Sequence, residues 1–467
     1  MKARVLKELG IPHGDLMKLA QRSIATAARS GMKKRTLRET VHQVVLDPEA
    51  HREHPHFGAL AQALVDHAKA REELTFVERD TPAPWHMWGN DLDPKSIQQL
   101  DNACRLPVAV SGALMPDAHL GYGLPIGGVL ACDNAIIPYA VGVDIACRMR
   151  LTVLDMPVTE LRGSEKKLIN TIEEETRFGI GASFRNPRDH AVMDEDWEQT
   201  PLLRKLKGKA RAQLGSSGSG NHFVEFGELT LTQPDLGLAP GRYMALLSHS
   251  GSRGAGAKVA TTYSRQAMEQ HPELPKELRH LAWLDLDTEL GQEYWVSMQL
   301  MGQYAAANHA VIHREVVRSL RAKVLAEVEN HHNFAWKEIH DGREVVVHRK
   351  GATPAGEGVL GIIPGSMATP GYVVRGRGES TSLRSASHGA GRVMSRRKAR
   401  TSFTWSATRK LLTERGVTLI SGDLDEAPGV YKDIEEVMGA QRDLVDVVAR
   451  FDPKIVKMAP PGEPPED

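Results

Sequence analysis

The chain has 467 residues, of which 41% are hydrophobic and 25% are charged. This length and composition are typical of a globular protein that buries a large core and can hold more than one domain. Lysine plus arginine and aspartate plus glutamate each number 59, so no net charge draws the whole molecule to nucleic acid or to a membrane. Any such partner must therefore meet a local basic region.

Cysteine use and hydropathy indicate the compartment. Cys104, Cys132 and Cys147 show no C-x-x-C spacing, and the first residues lack the apolar core of a signal peptide. No run approaches the roughly 20 apolar residues of a membrane-spanning helix. We therefore expect a reduced, cytoplasmic protein without a membrane partner.

Residues 1–78 predict a helical N-terminal extension, because apolar residues recur at helical spacing over residues 15–35 and 57–74. His51, His54 and His56 alternate with charged residues and a proline, which is typical of a solvated turn. A metal site is the alternative interpretation of these histidines.

The sequence pattern changes after the proline-containing run at residues 81–84. Short β-prone segments alternate with glycine-rich turns, namely LPVAVSG, GGVLACD, RMRLTVLDM, FVEFGELTL, YMALLSHS and EVVVHRK. Longer helices are predicted near residues 294–329, 394–414 and 432–450. We expect an α+β fold in which mixed sheets with flanking helices form one large catalytic domain, residues 79–458. The proline-rich, acidic tail, residues 459–467, is predicted to be disordered.

Transition-metal ligands recur beside glycine-rich loops in this domain. Asp144 and Cys147 follow an apolar run and can turn toward one point, where a thiolate can bridge two ions; a buried structural cysteine is the alternative. His222 ends the run GSSGSGNH, and its neighbours Asn221 and Glu225 add hydrogen-bonding groups. Folding can gather such ligands into one site near a phosphate.

Three further segments carry candidate residues. In SHSGSRGAG, His249 suits a metal, while the serines, glycines and arginine suit a phosphate. His309 and His313 have the H-x-x-x-H spacing of a helical zinc site but no glutamate between them, so we expect packed or solvent-facing helix residues. HHNFAW is predicted at the end of a helix, where His332 could ligate a metal or cap the helix.

A basic segment lies near the C-terminus. Between Glu379 and Glu414 there are eight basic residues and no acidic one, and the segment includes SHGAGR, whose glycine turn we place beside a helix N-terminus where anions bind. His388 in that motif could attack a phosphate as a neutral imidazole.

Nine strings in this order resemble the tRNA-splicing RNA ligase family called RtcB: MPDAHLGYGLPIGGV, VGVDIACRM, GNHFVEFG, HSGSRGAG, HHNFAW, RKGA, IPGSM, SHGAGRVMSRRKA and VYKDIEEV. The similarity spans residues 84–458, and the N-terminal extension lies outside it. The resemblance implies a GTP- and Mn²⁺-dependent ligase that joins an RNA 3′-phosphate or 2′,3′-cyclic phosphate to a 5′-hydroxyl end. Its expected RNA is a cleaved or damaged tRNA or rRNA, with an accessory activating protein as a possible partner.

The resemblance also implies roles for individual residues. Positions similar to the family's ligands of two adjacent Mn²⁺ ions are Asp144, Cys147, His222, His249 and His332, with Cys147 as the bridge. His388 is similar to the guanylylated histidine. Positions similar to guanylate contacts are Asn221, Glu225, Asn333, Ser366, Ala390, Gly391 and Lys457, and positions suited to RNA phosphates are Arg253, Arg392 and Arg396.

Some features leave alternatives open. A thiolate with several imidazoles favours zinc over manganese in the usual affinity order, whereas the family implies manganese, so we expect zinc to occupy or inhibit the site. Arg148 and Gly371 depart from the family pattern, which puts nucleotide affinity or rate in doubt. A dimetal RNA-end phosphatase or phosphodiesterase and a non-catalytic RNA-binding protein with a structural metal are the two alternative functions.

Overall fold

The computed structural model describes residues 5–6, 9–12, 15–73 and 78–464. The chain divides into two compact units, Met1–Val77 and Glu78–Asp467. Among the described residues, no helix is both long enough and apolar enough to cross a membrane.

The first unit is helical, with α1 at Asp15–Arg29, α2 at Lys34–Leu46 and α3 at Gly58–Glu73. The apolar residues predicted from helical spacing are buried together: Met17, Ala20, Ile24 and Ala27 on α1, Leu37, Val41 and Val44 on α2, and Phe57, Leu60, Ala61 and Leu64 beside or on α3. His54 lies in a turn, where its Nδ1 accepts hydrogen bonds from the backbone N–H groups of His56 and Phe57 at 3.2 Å.

The second unit contains mixed sheets. Its strands are β1 Trp85–Met87, β2 Ala109–His119, β3 Ile126–Cys132, β4 Ala135–Ile136, β5 Arg148–Leu154, β6 Phe223–Leu231, β7 Gly241–Ser250, β8 Leu284–Asp285, β9 Val324–His331, β10 Phe334–His340, β11 Arg343–Lys350, β12 Ala352–Pro354, β13 Leu360–Ile363, β14 Gly371–Gly376, β15 Ser385–Ser387, β16 Thr418–Ser421 and β17 Val445–Met458. Each of the six predicted β-prone segments overlaps a strand, and the first of them does so only from Ala109 onward.

These strands form two larger sheets and two short strand pairs. The five-stranded sheet has the order β1-β2-β3-β11-β10, and the eight-stranded sheet has the order β13-β14-β17-β6-β7-β5-β9, with β16 parallel to β17. Strand β1 is parallel to β2, and the other pairs in these orders are antiparallel. The short pairs are β12 with β15 and β4 with β8. The α+β fold class is confirmed.

The helices of the second unit are α4 Pro94–Cys104, α5 Pro138–Val141, α6 Glu160–Gly163, α7 Glu165–Glu175, α8 Pro201–Gln213, α9 Arg253–Gln270, α10 Glu289–Leu320, α11 Arg396–Ser402, α12 Trp405–Arg415 and α13 Ile434–Gly439. Helix α10 packs on the eight-stranded sheet, where its Ile312 and Val316 are buried with Val224 and Leu246. The opposite face of the sheet buries a second core that includes Leu151 of β5.

Two helix predictions were too long. The predicted helix 294–329 ends at Leu320, and Val324–His331 pairs with β5 as a strand. The predicted helix 432–450 shrinks to α13, because Val445–Met458 pairs with β14 and β6 inside the large sheet. In both places the sheet buries apolar side chains and pairs the backbone, which outweighs a local helical pattern.

The tail is described as far as residue 464. The Ser219 hydroxyl donates to the Pro464 carbonyl at 2.6 Å, and the Ile180 backbone N–H donates to Glu463 at 3.4 Å. The remainder of the predicted disordered tail, residues 465–467, lies outside the described residues.

Candidate metal and nucleotide site

Four metal-ligand candidates lie at one end of four neighbouring strands. In the order β6-β7-β5-β9, His222 precedes β6, His249 is near the end of β7, Cys147 precedes β5 and His332 follows β9. Because neighbouring strands are antiparallel, the start of β5 lies beside the ends of β7 and β9. The sheet thus gathers side chains that are up to 185 residues apart in sequence.

The donor atoms of these side chains converge. Cys147 Sγ lies 3.3 Å from His222 Nε2 and 3.1 Å from His249 Nε2. His249 Nε2 lies 3.2 Å from His332 Nε2, and His222 Nε2 lies 3.0 Å from an Asp144 carboxylate oxygen. Two groups result, Asp144–Cys147–His222 and Cys147–His249–His332, and in each the ligand atoms lie within 4.8 Å of one another.

The backbone around Asp144 lies close to two neighbouring loops. A Cβ atom at Gly251 would lie 2.0 Å from an Asp144 carboxylate oxygen, so a side chain at position 251 would displace the Asp144 carboxylate. Ala146 has a φ of +55°, and its N–H donates to the Asn333 carbonyl at 2.8 Å, while the His332 N–H donates to the Cys147 carbonyl at 2.9 Å. These bonds tie the two ligand-bearing loops together.

The chemistry of the donor set fits a pair of divalent cations. All five side chains are buried, and gathering them without a cation costs desolvation that their mutual contacts repay poorly. Burial, reinforced by His222, lowers the pKa of His249 to about 3, and burial together with His388 and His249 lowers the pKa of His332 well below its ordinary value. Neutral imidazoles are the form that binds metal. Cys147 belongs to both groups, as a bridging thiolate requires.

A second contact orients His249. Its Nδ1 lies 3.1 Å from the Asn221 carbonyl oxygen, which accepts the ring N–H and leaves the Nε2 lone pair facing Cys147. Such a hydrogen bond behind a ligand fixes the tautomer that binds metal. Asp144 is also held ionised: burial raises its pKa, but the hydrogen bond and charge of His222 outweigh burial and lower the pKa below its ordinary value.

His388 lies beside the ligand cluster, with its ring centroid 5.0 Å from that of His332. Its Nδ1 lies 2.7 Å from an Asp117 carboxylate oxygen, which also accepts the His388 backbone N–H at 3.3 Å. Asp117 is fully buried on β2. A carboxylate on Nδ1 favours the tautomer whose Nε2 carries a lone pair, which is the form of a nucleophile.

The cluster and His388 share one cavity of 1190 Å³, whose wall also includes Asn221, Asn333, Lys350, Arg392 and Arg396. The Asn333 side chain is partly used inside the protein, because its oxygen accepts the Gly351 N–H at 2.8 Å. Lys350 donates to the Tyr122 carbonyl at 2.5 Å, and burial lowers its pKa to about 7.

A second, smaller cavity of 40 Å³ adjoins the first, and Asn221 and Tyr431 lie on both walls. Glu225, Ser366 and Gly371 also line it. Burial raises the pKa of Glu225 well above its ordinary value. At position 371 a Cβ would lie 3.2 Å from Pro364 Cα, which is a close contact. The glycine at this position therefore leaves more room between the backbone and the cavity wall.

Lys457 does not reach this cavity in the structure. Val456 and Met458 line the wall, and side chains alternate between the two faces of a strand, so Lys457 points to the opposite face of β17. There its Nζ lies 5.6 Å from the centre of the Phe178 ring. Met458 lies on the cavity wall next to Lys457, and the guanine contact expected of Lys457 stays a prediction.

Two other expected nucleotide contacts lie behind the wall. Ala390 is buried in a hydrophobic core cluster. Gly391 has a φ of +74°, and a Cβ there would lie 2.1 Å from the Asp117 carbonyl oxygen. Both residues follow His388 and position its loop against β2. The glycine turn therefore supports the histidine, and α11 begins only at Arg396.

The three candidate RNA-phosphate residues lie in two different environments, one buried and one on the cavity wall. Arg253 is 2% exposed, and its guanidinium donates to Ser216 and to the Gly179 carbonyl at 3.2 and 2.8 Å. Arg392 and Arg396 line the large cavity but contact Glu426. The basic segment is thus partly neutralised by acidic residues 423–426, which folding brings to it from outside the segment.

His309, His313 and Arg148 make structural contacts in this arrangement. The Ser248 hydroxyl lies 2.7 Å from His309 Nδ1 and 2.8 Å from His313 Nε2, and both histidines are buried, so the packed interpretation is confirmed. Arg148 is 5% exposed and donates to Glu329 and to the Gly302 carbonyl, each at 3.4 Å.

Sequence reasoning assigned no role to Asp117 or Lys350. Both stand in quoted motifs, MPDAHLG and RKGA, and the available signal was a charged residue inside a segment that otherwise predicts a buried strand. A buried charge in a strand is rare unless it is paired or functional.

Buried nitrogen, sulfur and oxygen ligands beside a histidine and several cations define a site suited to metal-assisted phosphate chemistry. A family model described as tRNA-splicing ligase RtcB matches residues 99–202 and 192–458. The chain therefore belongs to the RtcB family, and its first unit lies outside the match.

Curated relatives agree with the family model. The RNA-splicing ligase RtcB of Escherichia coli (strain K12) is 33% identical over 398 residues, which cover 78% of this chain and 95% of the relative. The tRNA-splicing ligase RtcB of Thermococcus kodakarensis is 30% identical over 466 residues, covering 82% and 96%. The RNA-splicing ligase RtcB of Mycobacterium tuberculosis is 32% identical over 432 residues, covering 76% and 98%.

Proposed function

We propose that the protein is a GTP- and Mn²⁺-dependent RNA ligase that joins a 3′-phosphate or 2′,3′-cyclic phosphate end to a 5′-hydroxyl end. The observation that carries the proposal is the single cavity that holds two ligand groups sharing Cys147, with His388 beside them. The three cysteines are free and buried, which agrees with a reduced cytoplasmic setting.

In this proposal Asp144, Cys147 and His222 hold one ion, and Cys147, His249 and His332 hold the other. The ions, when bound, offset the negative charge of phosphoryl oxygens. The residues supply the rest of the arrangement, in which the Asn221 carbonyl orients His249.

His388 is the proposed nucleophile. Asp117 holds the Nδ1 proton, so the Nε2 lone pair attacks the α-phosphorus of GTP. A P–N bond forms, the bond to the β-phosphate oxygen breaks, and pyrophosphate leaves. Asp117 then stabilises the positive charge that develops on the ring.

The RNA ends react in two further steps. Where the end is cyclic, water attacks the phosphorus and the bond to the 2′-oxygen breaks, which leaves a 3′-phosphate and a 2′-hydroxyl. The 3′-phosphate attacks the phosphoramidate; the P–N bond breaks and a 3′-pp-5′-guanosine end forms. The 5′-hydroxyl then attacks the RNA phosphorus, GMP leaves, and the strand is sealed. Lys350, Arg392 and Arg396 on the cavity wall are the proposed cations for the RNA phosphates.

Glu225 is the proposed guanine-reading group. Guanine presents a ring N–H and an amino group side by side, and a carboxylate can accept from both, whereas adenine presents a ring acceptor at that edge. A buried carboxylate left without these donors is costly, which agrees with the raised pKa of Glu225. Ser366 lies on the same wall.

Incubation with α-labelled GTP and Mn²⁺ tests the proposal. We expect acid-labile label on the wild-type protein and none on His388→Ala. Label on neither protein, under conditions where the wild type is folded and metal-loaded, would refute a guanylylated histidine.

Metal identity needs its own experiment, because the ligands also suit zinc. Metal-stripped protein is supplied with Mn²⁺ or Zn²⁺, and ligation of an RNA with 3′-phosphate and 5′-hydroxyl ends is measured. We expect turnover with Mn²⁺ and inhibition when Zn²⁺ is added to it; full turnover with Zn²⁺ alone would contradict the proposal.

A further inference from the structure

We propose that the first unit binds backbone phosphates of the RNA substrate through a basic surface on α1, α2 and their connecting turn. We call this the N-terminal basic surface; it consists of Lys18, Arg22, Arg29, Lys33, Lys34, Arg35 and Arg38, all of which are exposed. The family match does not include this unit, and the inference rests on the RNA substrate of the proposed function.

The charges of the two units are opposite. Residues 1–77 carry 13 basic and 9 acidic side chains, and residues 78–467 carry 46 and 50. Within the first unit, residues 16–38 contain seven basic side chains and no acidic one. The net neutrality of the chain therefore conceals a concentrated positive region, which is the electrostatic footprint of a nucleic-acid-binding surface.

Helical spacing arranges part of this surface as a line. Lys18, Arg22 and Arg29 are four and seven residues apart, so at about 100° per residue they lie within about 40° of one another around α1. The apolar side chains of α1, such as Met17 and Ile24, are buried on the other side. The three cations thus follow one exposed edge of the helix, and the turn continues it with Lys33 and Lys34.

This arrangement opposes the stability of the free unit. Lys18 with Arg22 and Lys34 with Arg38 are like charges at i, i+4, which destabilise a helix. The first turn of α2 contains no acidic residue and no side-chain cap, so Lys34 and Arg35 lie near the positive end of the helix dipole. Arg35 has an acidic neighbour on its own helix, Glu39 at 3.0 Å, and both side chains are exposed to solvent, where such a pair contributes little. An anionic partner offsets these costs.

RNA is the partner that the rest of the molecule favours. In the second unit Arg392 and Arg396 contact Glu426, and Arg400 contacts Asp425, so part of its positive charge is already neutralised. A substrate with many phosphates gains further neutralisation from the N-terminal basic surface. An acidic protein is the competing partner, and the test separates the two.

The test measures RNA affinity of the full-length protein without GTP, so that no ligation occurs. The probe is a fluorescently labelled RNA stem with single-stranded ends, titrated at several salt concentrations. The variant replaces four cations by glutamine, a residue of similar helix propensity: Arg22→Gln, Arg29→Gln, Lys33→Gln and Lys34→Gln. We expect affinity at low salt to fall about tenfold or more, and the slope of log affinity against log salt to shrink by about 3.

Two matched proteins serve as controls. One carries four exposed lysines of the second unit replaced by glutamine, at Lys166, Lys167, Lys205 and Lys276, and should change the slope by less than half as much. The other preserves charge at the four tested positions, with Arg22→Lys, Arg29→Lys, Lys33→Arg and Lys34→Arg, and should bind as the wild type does.

Unchanged affinity and slope in the glutamine variant would overturn the proposal and favour an acidic protein partner. An equal loss in the second-unit control would also overturn it, because binding would then follow net charge alone. Labelling with α-labelled GTP is measured in parallel and should be unaffected by the variant. Absence of labelling in the wild type would refute the proposed ligase chemistry. The comparison of salt slopes would still decide whether the N-terminal basic surface contacts RNA.

Discussion

Replacing Asp117 by asparagine tests the proposed nucleophile more finely than removing His388. Asp117 is fully buried and accepts from both His388 Nδ1, at 2.7 Å, and the His388 backbone N–H, at 3.3 Å. Asparagine has nearly the same shape, but its amide can donate to Nδ1. Donation there favours the tautomer with a proton on Nε2, which removes the attacking lone pair.

The size of the effect follows from the bond that is lost. A hydrogen bond to a charged group contributes about 1.5–3 kcal/mol, and about 1.4 kcal/mol corresponds to a factor of ten in rate. We therefore expect guanylylation by Asp117→Asn to slow roughly 10- to 150-fold. The metal ligands lie on other strands, so metal content should be unchanged.

The assay is single-turnover transfer of label from α-labelled GTP to the protein, with metal content measured on the same sample. Asp101→Asn is the matched control, because Asp101 pairs with Arg105 on the surface of α4, away from the cavity. A folded, metal-loaded Asp117→Asn protein that labels within threefold of the wild type would refute the positioning role of Asp117.

Three further outcomes are expected. Because burial raises the pKa of Glu225 above its ordinary value of 4.5, folding favours the protonated acid, and stability falls as pH rises above that value; Glu225→Gln should stabilise the protein at pH 8, with a gain that vanishes toward pH 4.5 in urea unfolding. Cys147→Ala should lose bound Mn²⁺ at both positions in metal analysis, whereas Cys132→Ala should retain it. Because burial lowers the pKa of Lys350 to about 7, RNA affinity should fall as pH rises through that value, and Lys350→Met should lack this dependence.

Much of the site was predictable because its signals are local. Each ligand candidate stands next to a short β-prone run with glycines nearby, and the ends of strands are where a chain can turn a polar side chain toward its neighbours. His222 and His249 border β6 and β7 in this way. The prediction that these residues meet rested on ligands that stand beside glycine-rich loops and that folding can gather, and the order β6-β7-β5-β9 supplies the contact.

Other features depend on pairing that no local pattern contains. Residues 324–331 form a strand because β5 offers an edge, and Val328 is buried there. Arg253 carries the charge and spacing of a phosphate contact, yet α9 places it inside the unit. The neutralisation of Arg396 by Glu426 joins segments 30 residues apart. In each case the partner segment, and not the sequence around the residue, decides the outcome.

The register of the large sheet links the core to the site. Met149 lies opposite His249 across the β5–β7 pair, and Leu151 lies opposite Leu247; Met149, Leu151 and Leu247 belong to one buried cluster. A slip of one residue would move every side chain of a strand to the other face, which would expose this apolar set. It would also move His249 away from Cys147. The same apolar pattern that stabilises the sheet therefore fixes which imidazoles reach the shared thiol, so substitutions that loosen this core should lower metal affinity before they unfold the protein.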